Sequence, residues 1–391
     1  MSDGTGKRAW PGLVSRDGET RVRVMKGLEL TRKQAVLALV GLLVAFAVPD
    51  LARLSASVQL SVVHQGLAFG LAAVGLNLLL RHTKLVSFGH AAFFGTGAYA
   101  TALLAAKLDV AMMSVLVLAA VLAAALMAAV IGYLSLRHTG LYFSLLTLAF
   151  GQLLYALVQG QGYLGSSDGL PVRPGEANQP LIFGLALDAD AYAVLLYYLT
   201  VVFAVVSLLV MYRLVKSPFG AALDAIGQDR TRAEFIGIPV RRYVWTAFVI
   251  SGVYGGLAGS IYALVQQHVR PGPVLYFLRS GDILFMAILG GFRTLIGPLV
   301  GGVVLVFLQD AGKDFTNYFD ALTGVVLLII VYGFPEGIVG SLRPDGNVRE
   351  RGREFVDDPS VVGSWFAGAT SALVTALGDW AKNVRAMLGV R

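Results

Sequence analysis

The chain has 391 residues, of which 56% are hydrophobic and only 14% charged, where a soluble domain carries about 25% charge. That balance and a mean hydropathy of +0.71 exclude an ordinary soluble protein. The absence of cysteine excludes disulfides and thiolate metal sites, and the net charge of +7 comes from basic loops beside apolar runs, so no nucleic-acid partner is implied.

In chain order, residues 1–33 come first, with eight Lys/Arg against four acids. They read as a mobile cytoplasmic segment by the positive-inside rule. Apolar runs then follow at 34–49, 58–80, 88–106, 111–134, 141–159, 191–212, 243–264, 283–312 and 320–340. Most approach the ~20 residues that cross a bilayer as helix. Runs of that length exclude a closed barrel, whose strands alternate. The fold class is therefore an all-α polytopic membrane protein with about 8–10 transmembrane helices. The 46 glycines suit close helix packing in lipid. The first run has no clear cleavage site and reads as an anchor rather than a signal peptide.

Between the second and third runs, 81–90 reads RHTKLVSFGH and breaks the apolar pattern. The loop 160–190 is acidic, with Asp168, Glu176, Asp188 and Asp190 against Arg173, and is expected outside. Its Gly165–Gly169 stretch, GSSDG, matches a nucleophile elbow in letters only, without the strand–turn–helix context or a His partner. The loop 213–242 carries Arg213, Lys216, Arg230, Arg232, Arg241 and Arg242 against Asp224, Asp229 and Glu234, and is expected inside. The charges of the later loops agree only if 283–312 enters and leaves on the same side. Gly290, Gly291, Arg293, Gly297 and Pro298 interrupt that run, as in a re-entrant pair of half-helices. The two breaks share a loose pattern of apolar residues, Arg-Thr and Gly, which suggests an inverted repeat.

The 217–242 stretch is long and charged for a membrane loop. It reads as a solvated helix, a lipid-surface helix or a docking element for another protein. Ala221, Ala222, Leu223, Ala225 and Ile226 suggest a small-residue face suited to a protein groove. Gly237 is a natural helix stop, with Pro239 beyond it. Polar groups inside spans are costly and draw attention as functional candidates. By that argument, and because broken helices place backbone at a substrate path, Asn77, Ser87, Gly89, His90, Gly290, Gly291 and Arg293 are candidates for a translocation path. The structural alternative is that each satisfies backbone freed at a break. Arg293 could meet a substrate carboxylate, snorkel, or pair with Asp282. The five histidines show no metal-ligand spacing. Beyond 342, Trp365, Ala369, Leu373, Leu377, Trp380, Val384 and Leu388 recur at helical spacing, predicting an amphipathic helix in a cytoplasmic tail, 343–391.

The stretch from Ser217 to Ala263 resembles the coupling-loop region of permease subunits from branched-chain amino acid ABC importers of the LivM type. Ala233, Glu234, Gly237 and Ile238 match the family's Ala-Glu-x-x-Gly-Ile ending. Further motifs at 75–104, 139–157, 165–172, 283–302 and 333–342 occur in the family's order, so the resemblance spans roughly 65–342. Lys84, Arg232 and Arg293 depart from it. The resemblance implies a type II ABC importer permease domain over 34–342. Its coupling loop, 213–242, would include Ala225, Gly227, Asp229, Ala233, Glu234, Gly237 and Ile238. It implies a homologous second permease subunit, two ATP-binding subunits, a periplasmic substrate-binding protein and the bilayer as partners. The chain would sit in a bacterial inner membrane with both termini cytoplasmic. No Walker A motif occurs in the sequence. The resemblance therefore implies a transport subunit that binds no cofactor itself, with ATP and Mg on partner subunits. The substrate would be a branched-chain amino acid or a related small amide or carboxylate. The alternative is an ion-coupled secondary transporter acting alone. It would need ionisable groups within the spans, which are scarce here.

Overall fold

The computed structural model describes residues 13–16, 19–25, 28–31, 46–49, 59–174, 180–182, 184–315, 324, 327 and 336–341. Six helices among these are long and apolar enough to cross a membrane. They are α1 (Leu60–His82), α2 (His90–Leu108), α3 (Met113–Ser135), α4 (Leu141–Gly160), α5 (Ala189–Lys216) and, after the charged loop, α8 (Val240–Gln266). The loop folds as α6 (Pro218–Gln228) and α7 (Arg230–Phe235). Short helix α9 (Pro271–Leu275) leads into α10 (Phe277–Gly290), α11 (Gly297–Phe315) and α12 (Gly337–Ser341). The predicted runs at 34–49 and 320–340 lie mostly outside the described residues, and the helix predicted in 343–391 lies wholly outside them.

The core forms around α1, which packs on α8, α11, α5 and α10, while α8 also packs on α2 and α3. Small residues let these backbones meet. A Cβ at Gly97 of α2 would collide with the backbone of Gly256 of α8, and one at Gly66 of α1 would lie 2.6 Å from the Cα of Val303 of α11. In lipid, where no hydrophobic force draws helices together, such contact and its dispersion energy hold the bundle. Helices α3 and α5 are peripheral, leaving Leu118, Leu122, Leu126, Val202, Val206 and Val210 exposed for an apolar surrounding.

Some polar groups in the core are paired across helices, while Tyr99 Oη and Ser135 Oγ are buried with no partner among the described residues. His64 of α1 meets Thr200 Oγ1 of α5 at 2.6 Å, and the Thr200 hydroxyl donates to Leu196 O at 2.9 Å. Because that hydroxyl proton is committed, His64 Nε2–H must donate to it. Thr200→Val should leave the buried imidazole unpaired and lower stability by about 1 kcal/mol, read as an earlier unfolding transition in detergent.

Both predicted breaks exist. Residues 83–89 connect α1 to α2 as non-helical backbone inside the bundle, where Leu85, Ser87 and Gly89 are buried. Helix α2 starts well below the bundle's end: His90 Nε2 meets Ser251 Oγ at 2.7 Å, about three turns into α8. Irregular backbone survives here because protein supplies partners. Ser144 Oγ donates to Val86 O at 2.6 Å, and Gly89 fits only because it lacks a Cβ, which would lie 2.6 Å from Thr147 O. The second break is the turn between α10 and α11. These two helices pack antiparallel as a hairpin: Gly290 lies against Gly297, and Gly301 against the carbonyl of Met286. Gly291 has φ +106, a conformation that favours glycine.

Residues 1–33, expected to be mobile, contain a three-stranded antiparallel sheet of Leu13–Arg16, Glu19–Met25 and Leu28–Thr31. The register pairs Arg16 with Glu19 and Met25 with Leu28. The residues between them read Asp-Gly and Lys-Gly, turn chemistry that suits two-residue hairpins. A second small pairing joins Leu170–Pro171 to His268–Val269. It holds the GSSDG stretch in a glycine turn, where Ser166 donates to Gln159 O and His268 contacts Asp168 O, not a serine. Among the described residues the nucleophile-elbow pattern has no triad behind it.

Candidate functional site

The loop 217–239 is ordered by local rules. Ser217 precedes Pro218 at the first turn of α6, where a proline's missing N–H costs nothing. Asp229 caps α7: its Oδ1 accepts from Arg232 N at 3.1 Å, and its Oδ2 pairs with Arg232 Nε at 3.0 Å. Helix α7 then ends in a Schellman motif. Gly237 N donates to Glu234 O at 2.9 Å and Ile238 N to Ala233 O at 3.0 Å, with Gly237 at φ +85. Asp229→Ala should loosen α7 by about 1 kcal/mol, visible as faster amide exchange over 230–236 with the spans unchanged.

One face of the loop is fastened to the bundle. Leu223, Ile226 and Ala233 are buried, and Phe219 stacks on Tyr243 with ring centroids 5.5 Å apart. Gly227 lies against the carbonyl of His82, where any Cβ would collide. The small-residue face expected to enter a partner's groove is thus partly turned inward. Leu223 and Ile226 are buried in the core of this chain, and α6 rests on the bundle beside α1, α5 and α8.

The outward face is different. Glu234 and Gly237 are exposed as expected. Beside them Phe235 is 86% exposed and Ile236 73% exposed, forming an apolar knob at the tip of an otherwise charged loop. Of the seven residues expected to couple to an ATPase, Glu234 and Gly237 therefore face out. Ala233 is buried, Ala225, Gly227 and Ile238 are partly buried on the bundle side, and Asp229 serves as a cap. A cleft of about 290 Å³ lies beside the loop, lined by Lys84, Thr139, Gly140, Gly227, Gln228 and Arg230 among others. Arg230 Nη2 is buried there with no hydrogen-bond partner among the described residues. Burial lowers the pKa of this guanidinium, against the opposing effect of Glu234.

The intramembrane candidates fall into two groups. Asn77 joins the breaks: its Nδ2 donates to Thr294 O at 3.0 Å. Ser87, Gly89 and His90 lie along the first break, and His90 Nε2 meets the Ser251 hydroxyl at 2.7 Å. Gly290 and Gly291 are consumed by packing, against Gly297 and against the carbonyl of Glu336 respectively. Arg293 points away from the core, with its side chain 68% exposed, and approaches Glu336 Oε1 at 3.9 Å. The alternative pairing with Asp282 is not formed, because Asp282 already binds Arg279 at 2.9 Å. Glu336 was not legible in the sequence because it reaches the turn through contacts distant along the chain, its carbonyl against Gly291 and Gly337 against Gly291. No group of three or more His, Asp or Glu residues that could hold a metal ion occurs among the described residues.

A buried, glycine-tight helical bundle carrying a charged, apolar-tipped loop matches known proteins over most of its length. The permease protein LivM of the high-affinity branched-chain amino acid transport system of Escherichia coli strain K12 is 26% identical over 288 residues, covering 69% of this chain and 67% of that protein. The permease protein LivH of Salmonella typhimurium is 24% identical over 298 residues, covering 72% of this chain and 93% of the relative. No solved structure matches the chain. The family model described as branched-chain amino acid transport system, permease component, matches residues 59–331, and this multi-pass membrane chain belongs to that family.

Proposed function

We infer that this chain is a membrane-spanning subunit of an ATP-driven importer, carrying branched-chain amino acids or related small amides and carboxylates into the cytoplasm. The observation that carries the reading is the loop 217–239: two short helices fixed to the bundle, with Phe235, Ile236 and Glu234 turned out. An exposed apolar knob inside a charged surround is what a protein groove recognises. Arg230, partly buried beside the loop, adds a positive charge that suits an acidic group on the same partner. In this reading ATP and Mg are held by two separate ATP-binding subunits. Closure of those subunits drives the loop, and the permease responds by changing which side is open. Relatives named LivM and LivH occur as permease proteins of high-affinity branched-chain amino acid transport systems. A second permease subunit beside this chain follows from that, with a periplasmic binding protein delivering substrate. The basic loop then faces the cytoplasm and the chain lies in a bacterial inner membrane.

The test is co-purification. A tagged ATP-binding subunit from the same gene cluster should retain this chain and its companion permease in mild detergent. If membrane-inserted chain is present and no ATP-binding subunit is held, the loop is ordinary surface and an ion-coupled transporter becomes the better reading.

A further inference from the structure

Two polar contacts of α1 occur at different depths, and together they connect the loop to the interior. At its end, His82 Nδ1 meets Asp224 Oδ1 of α6 at 2.5 Å. A carboxylate only accepts, so the imidazole donates. The His82 side chain is 4% exposed and that of Asp224 53%, so one end of the contact is in the bundle and the other on the loop. Gly227 seats α6 on the His82 carbonyl one turn further on. Five residues earlier on α1, about 7.5 Å along the helix, buried Asn77 donates to Thr294 O. Thr294 in turn ties the turn between α10 and α11: its hydroxyl donates to Gly291 O at 2.8 Å and accepts from Gly297 N at 2.9 Å.

We propose that α1 is the lever of the transporter: displacement of α6 passes through Asp224–His82 into α1 and reaches the glycine turn at 291–297 through Asn77–Thr294. The proposal rests on the reading of this chain as an ATP-driven permease, and specifies which element carries the stroke. The obvious carriers would be α5 and α8, which the loop joins covalently. Helix α5 is a poor one, because Val202, Val206 and Val210 are exposed and it lies at the perimeter. Helix α8 packs chiefly on α1, α2 and α3. Helix α1 has neither a proline nor a bulge, is buried along most of its length, and packs on α11 as closely as on α8. A stiff, buried helix moves as a unit, and a close-packed interior transmits a shift rather than absorbing it. His82 and Asn77 are positioning residues here; neither need touch substrate.

The whole transporter, reconstituted with its ATP-binding subunits and binding protein, provides the test. Uptake of labelled leucine and ATP hydrolysis are measured together. His82→Ala and Asp224→Ala should each lower uptake about tenfold, hold the ATP-binding subunit as wild type does, and keep hydrolysis within about twofold. The double variant should lose no more than the worse single one, because both break one contact. Asn77→Ser should show the same loss of uptake per ATP. The natural chain has no cysteine, so His82→Cys with Asp224→Cys adds an independent arm. Bridging the two thiols with a short bifunctional thiosulfonate should restore uptake that the unbridged pair has lost. Wild-type uptake in His82→Ala, losses that multiply in the double variant, or arrest on bridging would each overturn the lever while leaving the transporter reading intact. Failure of the wild-type chain to retain an ATP-binding subunit would overturn both.

Discussion

Replacing Phe235 and Ile236 together by aspartate is expected to strip the ATP-binding subunit from the purified permease, while yield, helix content and thermal transition stay at wild-type values. The effect should be large because both side chains are mostly exposed among the described residues. An aromatic and an aliphatic anchor at the centre of an interface each contribute about 2 kcal/mol or more. Losing both should weaken binding by at least about a hundredfold, and the added charges would be desolvated in the partner's groove. Stability should change little: the two residues close the C-terminal end of α7, but the bonds that end it are made by backbone groups the substitutions keep, and exposed side-chain changes fall within about 0.5 kcal/mol. Pull-down with a tagged ATP-binding subunit, run beside circular dichroism of the variant, separates a docking residue from a folding residue. A variant that keeps the subunit at wild-type stoichiometry would move the docking surface elsewhere.

Gly97→Leu is expected to abolish the folded bundle. A Cβ at Gly97 would lie 2.6 Å from Gly256 Cα and closer still to its carbonyl oxygen. Gly256 cannot retreat, because its own position is pressed against Ala124 of α3. A leucine must therefore separate three helices, which should cost about 3 kcal/mol or more. The variant should aggregate on detergent extraction or lose its cooperative thermal transition. Gly160→Leu is the control: nothing lies within 4 Å of the site, so it should be indistinguishable from wild type. Equal behaviour of the two variants would mean that the α2–α8 crossing does not hold the fold.

Much of the architecture was legible because the bilayer imposes one period and one length. The predicted runs at 58–80, 88–106, 111–134 and 141–159 differ from α1 to α4 by two residues or fewer at each end. The re-entrant reading of 283–312 rested on charge alternation and on Gly290, Gly291 and Gly297. It corresponds to the α10–α11 hairpin, whose helices are held by those same glycines. The loop's termination was readable too, since Gly237 followed by Ile238 and Pro239 announces a Schellman ending.

What the sequence did not reveal depends on contacts distant along the chain. Leu223 and Ile226 look like a partner-facing surface until the end of α1 is placed under them. Phe235 is exposed because it lies two residues past buried Ala233, on the opposite side of α7, and Ile236 is the cap residue beyond the last turn. Arg293 has Asp282 as its nearest acid in sequence toward the N-terminus, yet Arg279 takes that carboxylate and Glu336 arrives from α12's side. The N-terminal strands were missed for a different reason. Their Asp-Gly and Lys-Gly turns were visible, but a charge count weighed more than the alternation of polar and apolar residues around them.

The most direct measurement of the central claim is uptake of labelled leucine into proteoliposomes holding this chain, its companion permease, two ATP-binding subunits and the binding protein. The account predicts accumulation that needs internal or external ATP on the loop side, stops with a non-hydrolysable analogue, and persists when sodium and proton gradients are collapsed. Uptake by this chain alone, driven by an ion gradient and indifferent to ATP, would contradict it.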